Sequence, residues 1–197
     1  MTLTLTILDM ADDDAPFADV AVYVWHCDDA GAYSLYSTGL EDETYLRGVQ
    51  VADADGKVTF TSVVPGCYTG RWPHVHFEVY PDVDAITDST NAIATSQVAL
   101  PEDVCAAVYA TGGYDGSADN MAQVSLDTDN VFGDDGGALQ LATVTGDVDS
   151  GYVVELTVRV DTRTEPTGGS APEGGGVPDG AGPGGGGPGG GETASAG

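Results

Sequence analysis

The chain has 197 residues, 41% of them hydrophobic, enough for one core, and its richness in Val, Thr and Gly favours sheet over helix. Acidic residues number 32 against 5 basic ones, a formal net charge of -27 at pH 7. Such a surface repels nucleic acid and anionic membranes, which excludes both as partners, and no apolar run approaches the roughly 20 residues needed to span a bilayer.

The alternating Thr2 to Leu8 opens the chain as a strand, with no basic leader in front of its apolar positions. The expectation is therefore a cytoplasmic protein as written, or a secreted one if the true start lies upstream. An acidic, turn-rich connection from Asp9 to Asp19 leads to Val20–His26, which reads as a central strand. Asp28-Asp29-Ala30-Gly31 is a turn signal, and Tyr33 emerges from it. After a polar surface loop, Tyr45 to Val51 is expected as a strand. Asp53-Ala54-Asp55-Gly56 then makes a tight connection to Val58–Phe60, a hairpin by turn chemistry.

Pro65-Gly66 turns the chain into the segment that carries the chemistry. From His74 to Tyr80, Val75, Phe77 and Val79 alternate with His74, His76, Glu78 and Tyr80, so both imidazoles leave the same face of a half-buried strand. Two histidines at i and i+2 can grip one metal ion, and Tyr68 and Arg71 arrive on the loop just before them. An isolated His-x-His pair is more often incidental, and a lone tyrosine is more often a core aromatic. Here the combination is what raises the odds.

Beyond it, Ser96 to Leu100 is a short strand, and Pro101 with Glu102 and Asp103 opens a helix to about Tyr109, since proline and acids suit a helix start. Gly112 to Asp135 reads as mostly loop. Leu139–Thr145 and Val153–Val160 close the body as two more strands. The expected fold is all-β, an antiparallel sandwich of seven or eight short strands with one short helix. Two regions follow: a body over 1–165, and a tail over 166–197 whose 15 Gly and 5 Pro cannot repay the entropy of folding, so it is expected to be disordered. Only Glu173, Asp179 and Glu192 of the acidic residues lie in that tail, and a body so acidic, with Lys57 its single lysine, suggests adaptation to high salt. Cys27, Cys67 and Cys105 allow one disulfide and a free thiol, or none.

Trp25-His26-Cys27-Asp28 through Tyr33, then Tyr45-Leu46-Arg47-Gly48, Asp53 to Gly56 with Phe60, Pro65-Gly66-Cys67-Tyr68 and Arg71-Trp72-Pro73-His74-Val75-His76 follow one another in an order and spacing that resemble the intradiol ring-cleavage dioxygenases, over about Leu3 to Leu100. The resemblance implies a prealbumin-like sandwich and a non-haem Fe(III) cofactor held by Tyr33, Tyr68, His74 and His76. It implies that Tyr68 is the ligand released when substrate binds, and that Arg71 and Gln97 stabilise developing negative charge. Its partners would be a small aromatic diol, such as catechol, hydroxyquinol or protocatechuate, and O2. The loop between Tyr68 and His74 is short for the family, and the oligomeric state stays open, a homo-oligomer being one outcome. It leaves Cys67 either paired with Cys105 or free. The same pieces also read as a transthyretin-like or carboxypeptidase-regulatory-like binding module without metal. A copper or zinc site on His74 and His76 would need His26 or a cysteine as third ligand.

Overall fold

The computed structural model describes residues 1–163; the tail expected to be disordered over 166–197 lies outside them. Nine strands form two sheets. The strands are β1 (Thr2–Asp9), β2 (Ala15–Pro16), β3 (Ala21–Trp25), β4 (Arg47–Val51), β5 (Lys57–Thr61), β6 (His74–Tyr80), β7 (Ala94–Ala99), β8 (Thr143–Asp147) and β9 (Gly151–Val160). One sheet runs β2-β1-β9-β8 with β5 also paired to β1, and the other runs β4-β3-β6-β7. Leu3, Leu5 and Ile7 of β1 and Val154 and Val158 of β9 pack with Val22, Val24, Val75, Phe77 and Val98 of the facing sheet in one core. This is a sandwich, with the strand alternation of β6 and β9 as the sequence implies.

Three expectations need correction. The sandwich is not wholly antiparallel: β1 and β9 pair parallel, Leu5 opposite Leu156 and Ile7 opposite Val158. The Asp53–Gly56 turn exists, with Gly56 N donating to Asp53 O at 2.9 Å, but its flanking strands do not form a hairpin. β4 pairs with β3 and β5 with β1, so the turn carries the chain from one sheet to the other. The strand expected over Leu139–Thr145 begins only at Thr143; Leu139 is exposed in a turn, and Leu141, also exposed, makes only an isolated parallel bridge to Ala99.

The helix expected after Pro101 is α1 (Glu102–Tyr109), whose inner face buries Val104, Cys105, Val108 and Tyr109. A second helix, α2 (Ser117–Met121), lies in the stretch read as mostly loop. Among the described residues no helix is long and apolar enough to cross a membrane.

Candidate metal centre

On β6 the core side takes Val75, Phe77 and Val79, which forces His74 and His76 onto the outer face of the four-stranded sheet. Two loops deliver the tyrosines above them. Asp28 folds the first loop back: its Oδ1 accepts from Ala30 N at 3.0 Å and Ala32 N at 2.8 Å, and its Oδ2 accepts from Tyr45 Oη at 2.8 Å. Gly31 sits at φ +80°, and a Cβ there would stand 2.9 Å from Tyr68 Cβ, so only glycine lets the two tyrosine loops touch. Gly66 N donates to Asp28 O at 3.0 Å and closes the same seam.

Four polar atoms converge as a result. Tyr33 Oη lies 3.4 Å from Tyr68 Oη, 3.4 Å from His74 Nε2 and 3.2 Å from His76 Nε2. Tyr68 Oη is 3.4 Å from His74 Nε2, and the two histidine Nε2 atoms are 3.1 Å apart. Four donors bonded to one ion at about 2.0 Å in a tetrahedral arrangement stand about 3.3 Å from each other, so these five separations suit a shared metal ion.

Tyr33, Tyr68 and His74 are buried, while His76 keeps one edge toward solvent. Burial pushes His74 down to about 3, with Arg71 adding to the shift, and pushes His76 well down, with His74 and Arg71 adding. Both imidazoles are therefore neutral, the state a ligand needs. Burial raises both phenols, Tyr33 further because Tyr68 is beside it. Without a cation the cluster stays protonated; a cation at its centre reverses that preference.

The surrounding residues fix these rings. His74 Nδ1 donates to Trp72 O at 2.5 Å, which leaves Nε2 as the free lone pair. Trp25 stacks flat on His76, centroids 4.7 Å apart, and Phe132 meets His74 edge-on at 6.3 Å. Arg71 donates from Nη2 to Gln97 Oε1 at 2.5 Å and from Nε to Asp129 Oδ2 at 2.9 Å. That bond turns the Gln97 amide nitrogen toward His76 Nδ1, at 3.3 Å. A ligating His76 carries its hydrogen on Nδ1, facing this N–H, so metal binding through Nε2 asks the pair to readjust.

The structure thus brings together every residue the sequence singled out: Tyr33, Tyr68, His74 and His76 as the cluster, Arg71 and Gln97 against it. His26 is not among them, since its Nδ1 meets Cys27 O and its Nε2 meets Ser62 Oγ, each at 2.7 Å. Cys27, Cys67 and Cys105 are all buried free thiols, so the pairing of Cys67 with Cys105 is not made. Among the described residues no group of three or more His, Cys, Asp and Glu side chains is placed to hold a metal, which removes the copper or zinc reading built on a third such ligand. Sequence reasoning missed Trp25 as the platform under His76, although its place opposite His76 follows once β3 pairs with β6. It also missed Asp129, for which no local pattern gives a signal.

A β-sandwich with two tyrosines and two histidines converging on the outer face of one sheet defines a candidate mononuclear metal centre. A family model described as "Dioxygenase" matches residues 1–79. A chlorocatechol 1,2-dioxygenase of a Pseudomonas strain is 34% identical over 89 residues, which is 36% of this chain and 35% of that protein. A hydroxyquinol 1,2-dioxygenase of a Rhizobium strain is 35% identical over 68 residues, 34% of this chain and 22% of that protein. The matches thus span about a third or less of these curated relatives. Among solved structures, an intradiol ring-cleavage dioxygenase from Tetranychus urticae has the same fold, with a TM-score of 0.66 over 81% of this chain and 79% of its own at 22% identity. These matches show dioxygenase-like sequence over the first part of the chain and, for most of the chain, the fold of an intradiol dioxygenase.

Proposed function

We propose that this chain is a non-haem, Fe(III)-dependent intradiol dioxygenase that cleaves a catechol-type ring with O2 to a muconate-type dicarboxylic acid. The observation that carries the reading is the convergence of Tyr33, Tyr68, His74 and His76, whose donor atoms make five mutual separations of 3.1 to 3.4 Å, with Arg71 and Gln97 alongside. Bound Fe(III) supplies a hard Lewis acid that chelates the catechol and activates its ring toward O2.

The chain's own residues do the rest. His74 and His76 would hold the ion as neutral rings and Tyr33 and Tyr68 as phenolates, which would offset two of its three positive charges. An arriving catechol brings two protons. On the resemblance Tyr68 would give up its place to the catechol, and its phenolate, left in a buried site, would be the base for one of those protons, with solvent hydroxide taking the other. Arg71 uses two of its five N–H groups on Asp129 and Gln97, and the others are available to negative charge on the reacting ring and oxygen. Both atoms of O2 end in the product, as the two carboxylates formed where the bond between the hydroxyl-bearing carbons breaks, and no outside reductant is needed.

The pairing of the basic residues favours a ring without a carboxylate, such as catechol or hydroxyquinol. Arg159 and Arg163 are paired with Asp14 and Asp161, Arg71 with Asp129, and Arg47 donates to Ser34 and Tyr23. Lys57 opens β5 in the other sheet, opposite Thr6. A transthyretin-like binding module has no use for the two-tyrosine, two-histidine cluster.

The test is a spectrum and an oxygen electrode. Loaded protein should hold about one iron per chain, show a visible tyrosinate charge-transfer band, and consume O2 with catechol or hydroxyquinol to give a muconate-type product by mass. Tyr68→Phe should keep most of its iron and lose most turnover, His76→Ala should lose iron, and Arg71→Ala should keep iron and slow about 10²- to 10³-fold. A preparation that stays colourless after iron loading, or three variants that match wild type, would sink the proposal.

A further inference from the structure

We infer that Asp129 is the positioning residue for Arg71: its carboxylate locks the guanidinium beside the tyrosine–histidine cluster, where Gln97 links it to His76. The inference rests on the function proposed above. Asp129 lies beyond residues 1–79 that the family model matches, in a stretch whose sequence reads as loop.

The carboxylate is only 2% exposed, and each of its oxygens accepts two N–H groups. Oδ2 takes Arg71 Nε at 2.9 Å and Trp72 N at 2.7 Å; Oδ1 takes Val131 N at 2.8 Å and Phe132 N at 3.2 Å. One side chain thus staples the turn before Gly133 to the loop that runs from Tyr68 to His74. Arg71 is held at two points of its rigid fork, Nε by Asp129 and Nη2 by Gln97, so the plane of the guanidinium has no freedom left.

Stability alone is a poor reason for this arrangement, because a buried ion pair is often no better than apolar packing of the same volume. Orientation is a better one. The remaining N–H groups of Arg71 are useful only if they face the reacting atoms before O2 arrives, and a guanidinium free to swing would have to be ordered during the reaction. Asp129 also cancels the charge of Arg71.

The experiment uses the full chain in two forms. In iron-loaded protein, Asp129→Asn should keep wild-type iron content and an anaerobic catechol Kd within about threefold, while kcat falls about 10-fold or more. In an Arg71→Ala background the same change should cost no more than about threefold further, because both substitutions remove one device. Asp129→Glu should recover part of the lost rate. In metal-free protein, the Arg71 Nε–H signal in a ¹⁵N spectrum, assigned by its loss in Arg71→Ala, should be downfield and slow to exchange, and Asp129→Asn should shift it and speed its exchange. An additive cycle, a rate loss that merely follows iron loss, or an unmoved Nε–H signal overturns the inference. A wild-type protein that turns over no catechol overturns the proposed function instead, and the metal-free spectrum then decides the clamp by itself. Should Asp129→Asn fail to fold, the same two readouts on Asp129→Glu decide, with a wild-type rate and an unmoved signal counting against it.

Discussion

Replacing Gly31 with alanine adds one methyl group to a residue that donates nothing to the cluster, yet it should damage the centre. Gly31 has φ +80°, and left-handed backbone costs an L-residue about 1–2 kcal/mol. The new Cβ would meet Tyr68 Cβ at 2.9 Å, where carbon atoms prefer about 3.5–4.0 Å, so the two loops must part by about 0.6–1 Å. Overpacking of that kind costs a further ~1–3 kcal/mol. The sum predicts a loss of about 2–5 kcal/mol in urea melts of metal-free protein. It also displaces Tyr68 Oη from its 3.4 Å separations to Tyr33 and His74, so iron should be lost to a chelator at least about 10-fold faster and the visible band should weaken. Gly39→Ala is the control: φ is +84° there, but nothing lies within 4 Å of the added carbon. It should cost only the backbone term and leave iron retention alone. If the two variants behave alike, the contact between the tyrosine loops does not hold the centre, and the account of Gly31 is wrong.

Three further outcomes are expected. The depressed imidazole of His74 contributes stability that is fully present above its unfolded value of about 6.5 and is lost as pH falls toward about 3, so metal-free protein in molar salt should lose up to about 1.4 kcal/mol per pH unit below 6.5, and His74→Gln should flatten that slope; equal slopes refute the burial argument. Melting temperature should climb from low salt to molar KCl because the described residues carry every base of the chain and all but a few of its many acids, and a flat profile removes the high-salt reading. Gln97→Glu gives His76 Nδ1–H an acceptor while still accepting from Arg71, so iron should leave more slowly to a chelator; faster loss means that the 3.3 Å contact between Gln97 and His76 does not oppose ligation.

The four donor residues were legible because their information is local. The alternation of His74 and His76 against Val75 and Phe77 fixes their face once β6 is a strand, and the turn signals before Tyr33 and Tyr68 put both on loops. Partner choice was not legible. The Asp53–Gly56 turn has hairpin chemistry, but nothing in its four residues tells whether β5 pairs with β4 or with β1; burial of Val58 against the facing sheet decides it. Asp129 is one Asp among many, and it differs only in meeting Arg71 across 58 residues of chain. Leu139 and Leu141 alternate like strand residues yet stay exposed, because β9 pairs with β8 only from Thr143 onward.

The parallel pairing of β1 with β9 joins the first strand of the described chain to its last, Thr2 to Val153 and Asp9 to Val160. During synthesis the residues of the candidate centre are all made by His76, but β1, with β5 on one side, lacks β9 on the other until Val160 exists, roughly 4–17 s later at about 5–20 residues per second. Through that interval the apolar side of β1 has half its sheet missing, and the two sheets cannot close on their shared core. The candidate centre is therefore expected to form only once β9 is made, and a nascent chain halted before β9 should carry all four candidate donors and retain no iron.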